Sequence, residues 1–241
     1  MTNGNGTIAP LRNVGLFVEL VERVLSRPAH LPGMATFHGF SGYGKTFSAT
    51  LAANTHRALY VEVGSTWTRK RFLEALLTEL GQPTRSTIAD MADLVISTLA
   101  QEGRPLIIDE FDHVVARGYV DLVREIHDKS CSAIILIGEE LLPSKLARWE
   151  RFHNRMLDWC PAQPADLADV RHLATLYAPK VAIADDLLDR IADAAQGRVR
   201  RACVSIERVR EMASTSGLSA VDLAAWGDRP LFLGQPPARR Q

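Results

Sequence analysis

Apolar positions along this chain change period several times, and the changes mark out its elements. From about Val14 to Leu25 apolar residues recur at helical spacing, and Pro28 and Pro32 end the run. Met34 to His38 reads as a short strand entering a glycine-rich turn, and Thr46 to Ala53 as the helix that leaves it. Leu59 to Val63 is the next strand candidate. Phe72, Leu73, Leu76, Leu77 and Leu80 then share one helical face that Gly81-Gln82-Pro83 closes, and Met91, Leu94, Val95 and Leu99 mark a further helix after Thr87. Leu106-Ile107-Ile108 and Ile134 to Ile137 are continuous apolar runs, as expected for strands buried on both faces of a parallel sheet. With a last strand candidate at Met156 to Cys160, the alternation predicts an α/β fold: a three-layer αβα sandwich around a parallel sheet.

After Pro161 and Pro164 the strand-like runs cease. Helix-period segments follow at Asp166 to Tyr177, Ala184 to Ala195, Val199 to Ala213 and Ser219 to Trp226, which predicts a small all-helical domain. The expected organisation is a flexible, glycine-rich stretch over 1–12, an α/β core over 13–162, a helical domain over 163–228 and a basic, proline-rich, disordered tail over 229–241. No internal repeat is present.

Composition narrows the function classes. Lys+Arg and Asp+Glu both number 28, so no global field draws the chain to polyanions, and any such binding must come from a local patch. Cys131, Cys160 and Cys203 are odd in number and widely spaced, which argues against a disulfide framework or a zinc site. The N-terminus lacks the basic start and apolar run of a signal peptide, and no apolar stretch approaches a membrane span, so a cytoplasmic protein without a membrane partner is expected.

Gly39-Phe40-Ser41-Gly42-Tyr43-Gly44-Lys45-Thr46 is a complete G-x-x-x-x-G-K-[ST] phosphate-binding loop. Its glycines let backbone N–H groups turn inward around phosphates, Lys45 supplies a point charge for the β- and γ-phosphates, and the Thr46 hydroxyl can ligate Mg²⁺. ATP and Mg²⁺ are the expected cofactors. Leu106-Ile107-Ile108-Asp109-Glu110 has the form of a buried strand delivering two carboxylates to the sheet edge where ligands bind. Asp109 is expected to hold Mg²⁺ through water, and Glu110 to orient and polarise the attacking water. Asp112 and His113 are read as capping or solvated residues rather than a metal site.

Three further positions carry candidate chemistry. Glu139, after the strand at Ile134 to Ile137, is the nearest polar residue where a γ-phosphate sensor would sit, although a carboxylate repels phosphate and acids at a helix start explain it equally. Arg155, and next Arg151, lie just before the last strand candidate, where an arginine can reach a neighbouring subunit's γ-phosphate; ordinary surface arginines are the competing reading. Arg200, in Gly197-Arg198-Val199-Arg200-Arg201, can close a helical lid on the nucleotide.

Taken in this order, the phosphate loop, the Asp-Glu strand, the pre-strand arginine and a helical lid with Gly-x-x-Arg resemble an AAA+ ATPase across nearly the whole chain. Glu125-Ile126-His127-Asp128, Ile135-Leu136-Ile137-Gly138-Glu139-Glu140 and Arg151-Phe152-His153-Asn154-Arg155 look like the AAA+ proteins of transposable phages, the phage Mu B transposition protein group, cousins of transposon target-selection ATPases. That resemblance implies an ATP-dependent protein that assembles as a homo-oligomer, a helical filament or ring, on duplex DNA. It also implies delivery of the DNA to a cognate transposase in a host bacterial cytoplasm, with hydrolysis as the release step. Only 38 residues precede Gly39, so the N-terminal helical DNA-binding domain of the Mu protein is not expected here. DNA contact then falls to the core. Arg69, Lys70 and Arg71, at the start of the helix after the second strand, resemble the pore-lining contacts of transposon ATPases, with Arg85 as a second contact; a solvated helix start is the competing reading. The alternative function is an AAA+ motor or signalling ATPase that does not act on DNA. A small-molecule kinase is disfavoured by the lid, and a two-domain helicase by length.

Overall fold

A computed structural model describes residues 11–232. They fall into two compact units: one comprises Val14–Phe40 and Lys45–Ala162, and the other takes in the described residues before Val14, the segment Ser41–Gly44 and the described residues from Gln163 onward.

The first unit holds β1 (Met34–His38), β2 (Leu59–Glu62), β3 (Leu106–Asp109), β4 (Ile134–Gly138) and β5 (Met156–Pro161), with α1 (Arg12–Leu25) from Val14 onward, α2 (Lys45–His56), α3 (Arg69–Glu79), α4 (Ile88–Glu102), α5 (Asp112–Ala116), α6 (Val120–Ser130), α7 (Leu142–Leu146) and α8 (Glu150–His153) between and around them. The strands form one parallel sheet in the order β2-β3-β4-β1-β5. Burial explains the sequence pattern. Every residue of β3 and β4 is buried, whereas the edge strands β2 and β5 are partly exposed and correspondingly less apolar. Alternate residues serve opposite faces. Leu106, Ile108, Ile134 and Leu136 join the core under α3, α4 and α6. On the other face Phe17 of α1 meets Phe37 of β1 edge-on, with ring centroids 5.1 Å apart.

Local signals set the helix ends. The Thr68 side chain accepts from the Arg71 N–H to start α3, and Thr87 with Asp90 forms a reciprocal cap that starts α4, which Gly103 ends in the left-handed conformation. At the C-terminal rim of the sheet, the Gly39 N–H donates to the Gly138 carbonyl at 3.3 Å and the Phe111 N–H to the Ile137 carbonyl at 2.8 Å. Chain leaving β1 and β3 is thereby tied to β4 between them.

In the second unit α9 (Leu167–Tyr177), α10 (Asp185–Ala195) and α11 (Val199–Ser216) pack on one another, followed by α12 (Leu223–Trp226). Asp166 and Asp169 cap α9 reciprocally, and Asp169 Oδ1 also accepts the Arg12 N–H at 2.8 Å. This unit is not purely helical. β6 (Ala182–Ile183) pairs in parallel with β7 (Ala220–Val221), so the helix expected from Ser219 begins only at Leu223, behind the Asp222 cap. Two-residue strands are too short to show a period.

Of the expected tail, residues 229–232 are described and packed: Leu231 is buried, the Phe232 N–H donates to Ser205 Oγ at 3.2 Å, and the Arg208 guanidinium lies over the Phe232 ring. The remainder of that tail, and residues 1–10 of the expected flexible start, lie outside the described residues. Leu11 is buried and α1 begins at Arg12. Among the described residues no helix is long and apolar enough to cross a membrane.

Leu136 is fully buried in the central strand β4. Leu136→Ala is expected to cost about 2–5 kcal/mol, measured by urea unfolding, against about 1 kcal/mol for loss of the helix cap in Thr87→Ala.

Candidate nucleotide-binding site

The segment between β1 and α2 brings backbone close to any ligand it encloses. Gly42 and Gly44 adopt φ of 88° and 82°, left-handed values that glycine takes without steric cost. Lys45 and Thr46 open α2, so the N-terminus of the helix, the positive end of its dipole, lies where the loop ends. Lys45 Nζ donates to the carbonyls of Gly39 and Phe40 at 2.6 and 3.0 Å. Burial lowers the Lys45 pKa, and the carboxylates of Asp109, Glu110, Asp112 and Glu139 pull it back up. His38, at the end of β1, is likewise lowered by burial and then by Lys45.

The tip of the loop, Ser41–Gly44, belongs to the second unit. The Gly42 carbonyl accepts the Val199 N–H at 2.8 Å, and the Tyr43 carbonyl accepts from Asn13 Nδ2 at 2.7 Å. A Cβ on Gly42 would sit 3.3 Å from Cβ of Arg198, the residue preceding α11. Arg200, the lid arginine expected from the sequence, is exposed in the first turn of the same helix. Arg198 was not legible as a loop neighbour, because a Gly-Arg-Val-Arg-Arg run offers three arginines and no spacing rule to separate them.

Asp109 ends β3 and is 2% exposed. Its Oδ2 accepts the Thr46 hydroxyl at 2.8 Å and the Tyr60 hydroxyl at 3.0 Å, and its Oδ1 accepts the Glu110 N–H at 2.8 Å. These bonds satisfy a charge whose burial would otherwise be costly. Burial, and then the neighbouring Asp109 carboxylate, raises the Tyr60 pKa, keeping the phenol a donor. Glu110 has φ of 56°, a left-handed value that costs a non-glycine residue about 1–3 kcal/mol. Its carboxyl pKa is raised by burial and then by Asp109. A hydroxyl and a carboxylate 2.8 Å apart are hard oxygen donors that fit Mg²⁺, which takes few protein ligands and completes its shell with phosphate oxygens and water. Among the described residues no cage of three or more His, Cys, Asp or Glu side chains is present, as such a shared shell requires none.

Glu139, the sensor candidate, has an exposed side chain paired with Lys145 Nζ at 3.3 Å. Its backbone N–H is held by Asp112 Oδ2 at 2.7 Å, and Asp112 Oδ1 pairs with Lys145 at 2.6 Å. Asp112 therefore ties the start of α5 to the segment after β4. Gly138 leaves it room, since a Cβ there would strike its carboxylate.

At the start of β5, Arg155 Nε and Nη2 grip the two oxygens of Asp128 at 3.0 and 3.1 Å, and Arg124 binds the same carboxylate at 3.0 Å. Arg151 is exposed, and its guanidinium has no hydrogen bond or ion pair among the described residues.

Arg69, Lys70 and Arg71 are exposed in the first turn of α3. Arg71 lies over the Trp67 ring at 5.2 Å, and Lys70 and Arg71 approach Glu74 at 4.0 and 3.8 Å. Arg69 Nη2 donates to the Gly118 carbonyl at 3.4 Å, while Arg117 donates to the Ser65 carbonyl at 3.1 and 2.8 Å. Arg117, which no sequence motif singles out, thus joins the basic cluster through the fold. Arg85 is exposed in the loop between α3 and α4.

Residues 29–146 match the family model described as an AAA domain. No curated protein sequence matches the chain. Among solved structures, Cdc6p from Pyrobaculum aerophilum superposes with a TM-score of 0.66 at 17% identity, covering 89% of this chain and 65% of that one. The Orc1 protein of Aeropyrum pernix, solved in complex with DNA, gives 0.63 at 19% identity, covering 87% and 61%. A signal transduction ATPase with numerous domains and a tetratricopeptide repeat sensor, from Pyrococcus horikoshii, gives 0.52 at 16% identity, covering 77% and 29%. The chain spans less than two thirds of each of these proteins, and at such identities the likeness is one of fold. Phosphate loop, acidic strand end and strand order agree with these matches: residues 29–146 are similar to an AAA domain, within an AAA+ P-loop fold like that of the Cdc6p and Orc1 structures.

Proposed function

We propose that this protein is an ATP-switched, non-sequence-specific DNA-binding ATPase that assembles on duplex DNA and presents it to a transposase in the bacterial cytoplasm. The ATPase part is carried by the Thr46–Asp109 hydrogen bond, which brings the loop and the acidic strand end into one metal-binding pair. ATP is held by the loop N–H groups and Lys45, with Thr46 and Asp109 as the residues that would hold Mg²⁺. When bound, that ion neutralises charge on the β- and γ-phosphate oxygens. Glu110 takes up a proton from water as the water oxygen attacks the γ-phosphorus, the bond to the ADP oxygen breaks, and ADP and phosphate leave. Either Arg151 or Arg155 reaches the γ-phosphate of a neighbouring copy; Arg155 must first leave Asp128.

DNA as the ligand is supported by an electrostatic conflict. Arg69, Lys70 and Arg71 crowd the N-terminus of an 11-residue helix that has no acid in its first turn, where cations oppose the helix dipole at about 0.3–1 kcal/mol each. A phosphate backbone relieves that conflict without reading sequence. DNA as the ligand class is also supported by the Orc1 protein of Aeropyrum pernix, a protein of similar fold that was solved in complex with DNA. The transposition role rests on the resemblance to the phage Mu B group.

Electron microscopy of the full chain with duplex DNA should show assemblies with ATP and none with ADP. DNA-free particles in both states would overturn the proposal and favour the signalling ATPase. Glu110→Gln should bind ATP with wild-type affinity, lose hydrolysis at least about a hundred-fold, and release DNA more slowly. Equal release rates would remove Glu110 from the catalytic role. Replacing Arg69, Lys70 and Arg71 together with alanine should weaken DNA binding uniformly across sequences. It should also reduce the slope of log affinity against log salt by about 2–3, near 0.9 for each phosphate that the variant no longer neutralises. Alanine at the true trans arginine should lower hydrolysis about a thousand-fold or more, and mixing that variant with Lys45→Ala should restore part of it.

A further inference from the structure

The Asp109 carboxylate carries one hydrogen bond more than the phosphate-loop pairing calls for. Its two oxygens offer about four acceptor sites. The Thr46 hydroxyl and the Glu110 N–H take two of them, both from the motif itself. A third is taken by Tyr60, whose hydroxyl donates to Oδ2 at 3.0 Å from β2, outside either motif. The donor is placed by the sheet: β2 runs beside β3 with Tyr60 opposite Ile107 and Glu62 opposite Asp109. A phenol on a paired strand has only two side-chain torsions, so its oxygen is a fixed point rather than a flexible arm.

We infer that Tyr60 is a positioning residue for the divalent cation, an inference that rests on the ATPase reading above. Two hydroxyls converge on Oδ2 while the Glu110 amide holds Oδ1, and together they fix the plane of the carboxylate. About one acceptor site is then left for a metal-bound water. Thr46, whose oxygen would serve as a ligand, belongs to the helix that leaves the nucleotide loop, so the Tyr60 bond from β2 is the one that holds Asp109 independently of that loop. Tyr60 acts through Asp109 and is not itself proposed as a ligand. Loss of its hydroxyl lets the carboxylate turn about χ2 and weakens the metal, while Lys45 and the loop N–H groups go on binding the triphosphate.

The test separates metal from nucleotide in the full chain. Binding of ATP is measured calorimetrically in EDTA, and binding of Mn²⁺ by electron paramagnetic resonance in the presence of saturating ADP, for wild type, Tyr60→Phe and Asp109→Asn. Tyr60→Phe is expected to leave ATP affinity in EDTA within about two-fold and to raise the Mn²⁺ dissociation constant about three- to ten-fold, as for the removal of one hydrogen bond. Asp109→Asn should raise it further. An unchanged or tighter Mn²⁺ constant in Tyr60→Phe, with Asp109→Asn weakened, overturns the role of Tyr60 alone. Equal losses of EDTA-state ATP and Mn²⁺ binding in Tyr60→Phe also overturn it, since they mark a general distortion. If Asp109→Asn itself binds Mn²⁺ like wild type, the metal-site reading fails as well.

Discussion

A single ionised carboxylate, buried at the end of a central strand, sets the terms for the rest of this protein. Asp109 is 2% exposed, and burying its charge is tolerable only because three donors surround it. Those donors come from β2, from the start of α2 and from the next residue. Meeting that demand requires β2, β3 and the chain leaving β1 to end in register at one rim. The parallel order β2-β3-β4-β1-β5 provides this, with β4 lying between β3 and β1. Gly138 at its end admits the Asp112 carboxylate, so that α5 and the segment after β4 are held on the same rim.

The strain at Glu110 belongs to the same arrangement. A left-handed glutamate is unfavourable, yet its N–H is fixed by Asp109 and the next residue's N–H by Ile137. The backbone at Glu110 is therefore over-determined. The basic turn at the start of α3 also works against local stability. Its three cations oppose the helix dipole, and the reciprocal bonds of Arg69 to Gly118 and Arg117 to Ser65 pin the turn to the chain that follows α5.

Much of this was legible in the sequence wherever a residue's role is set by its neighbours in the chain. β3 and β4 appear as continuous apolar runs because both faces are buried. Thr87 marks a helix start through local hydrogen bonds. The phosphate loop and the Asp109-Glu110 pair are motifs of fixed spacing. What stayed hidden is non-local. Tyr60 reads as an ordinary strand residue until β2 is seen beside β3. Asp112 reads as a cap until Lys145, 33 positions away, closes on it. The parallel pair β6–β7 is too short to leave a period, and the short helices α5, α7 and α8 offer barely one turn each.

Under the proposed function, nucleotide chemistry at Asp109 and Glu110 serves a DNA-bound state. The most direct test is the steady-state rate of ATP hydrolysis by the full chain, with and without saturating duplex DNA of random sequence, in Mg²⁺. Hydrolysis is expected to be slow alone and several-fold faster on DNA, whatever the sequence of the duplex. A rate that DNA leaves unchanged, in a protein that hydrolyses ATP, would contradict it.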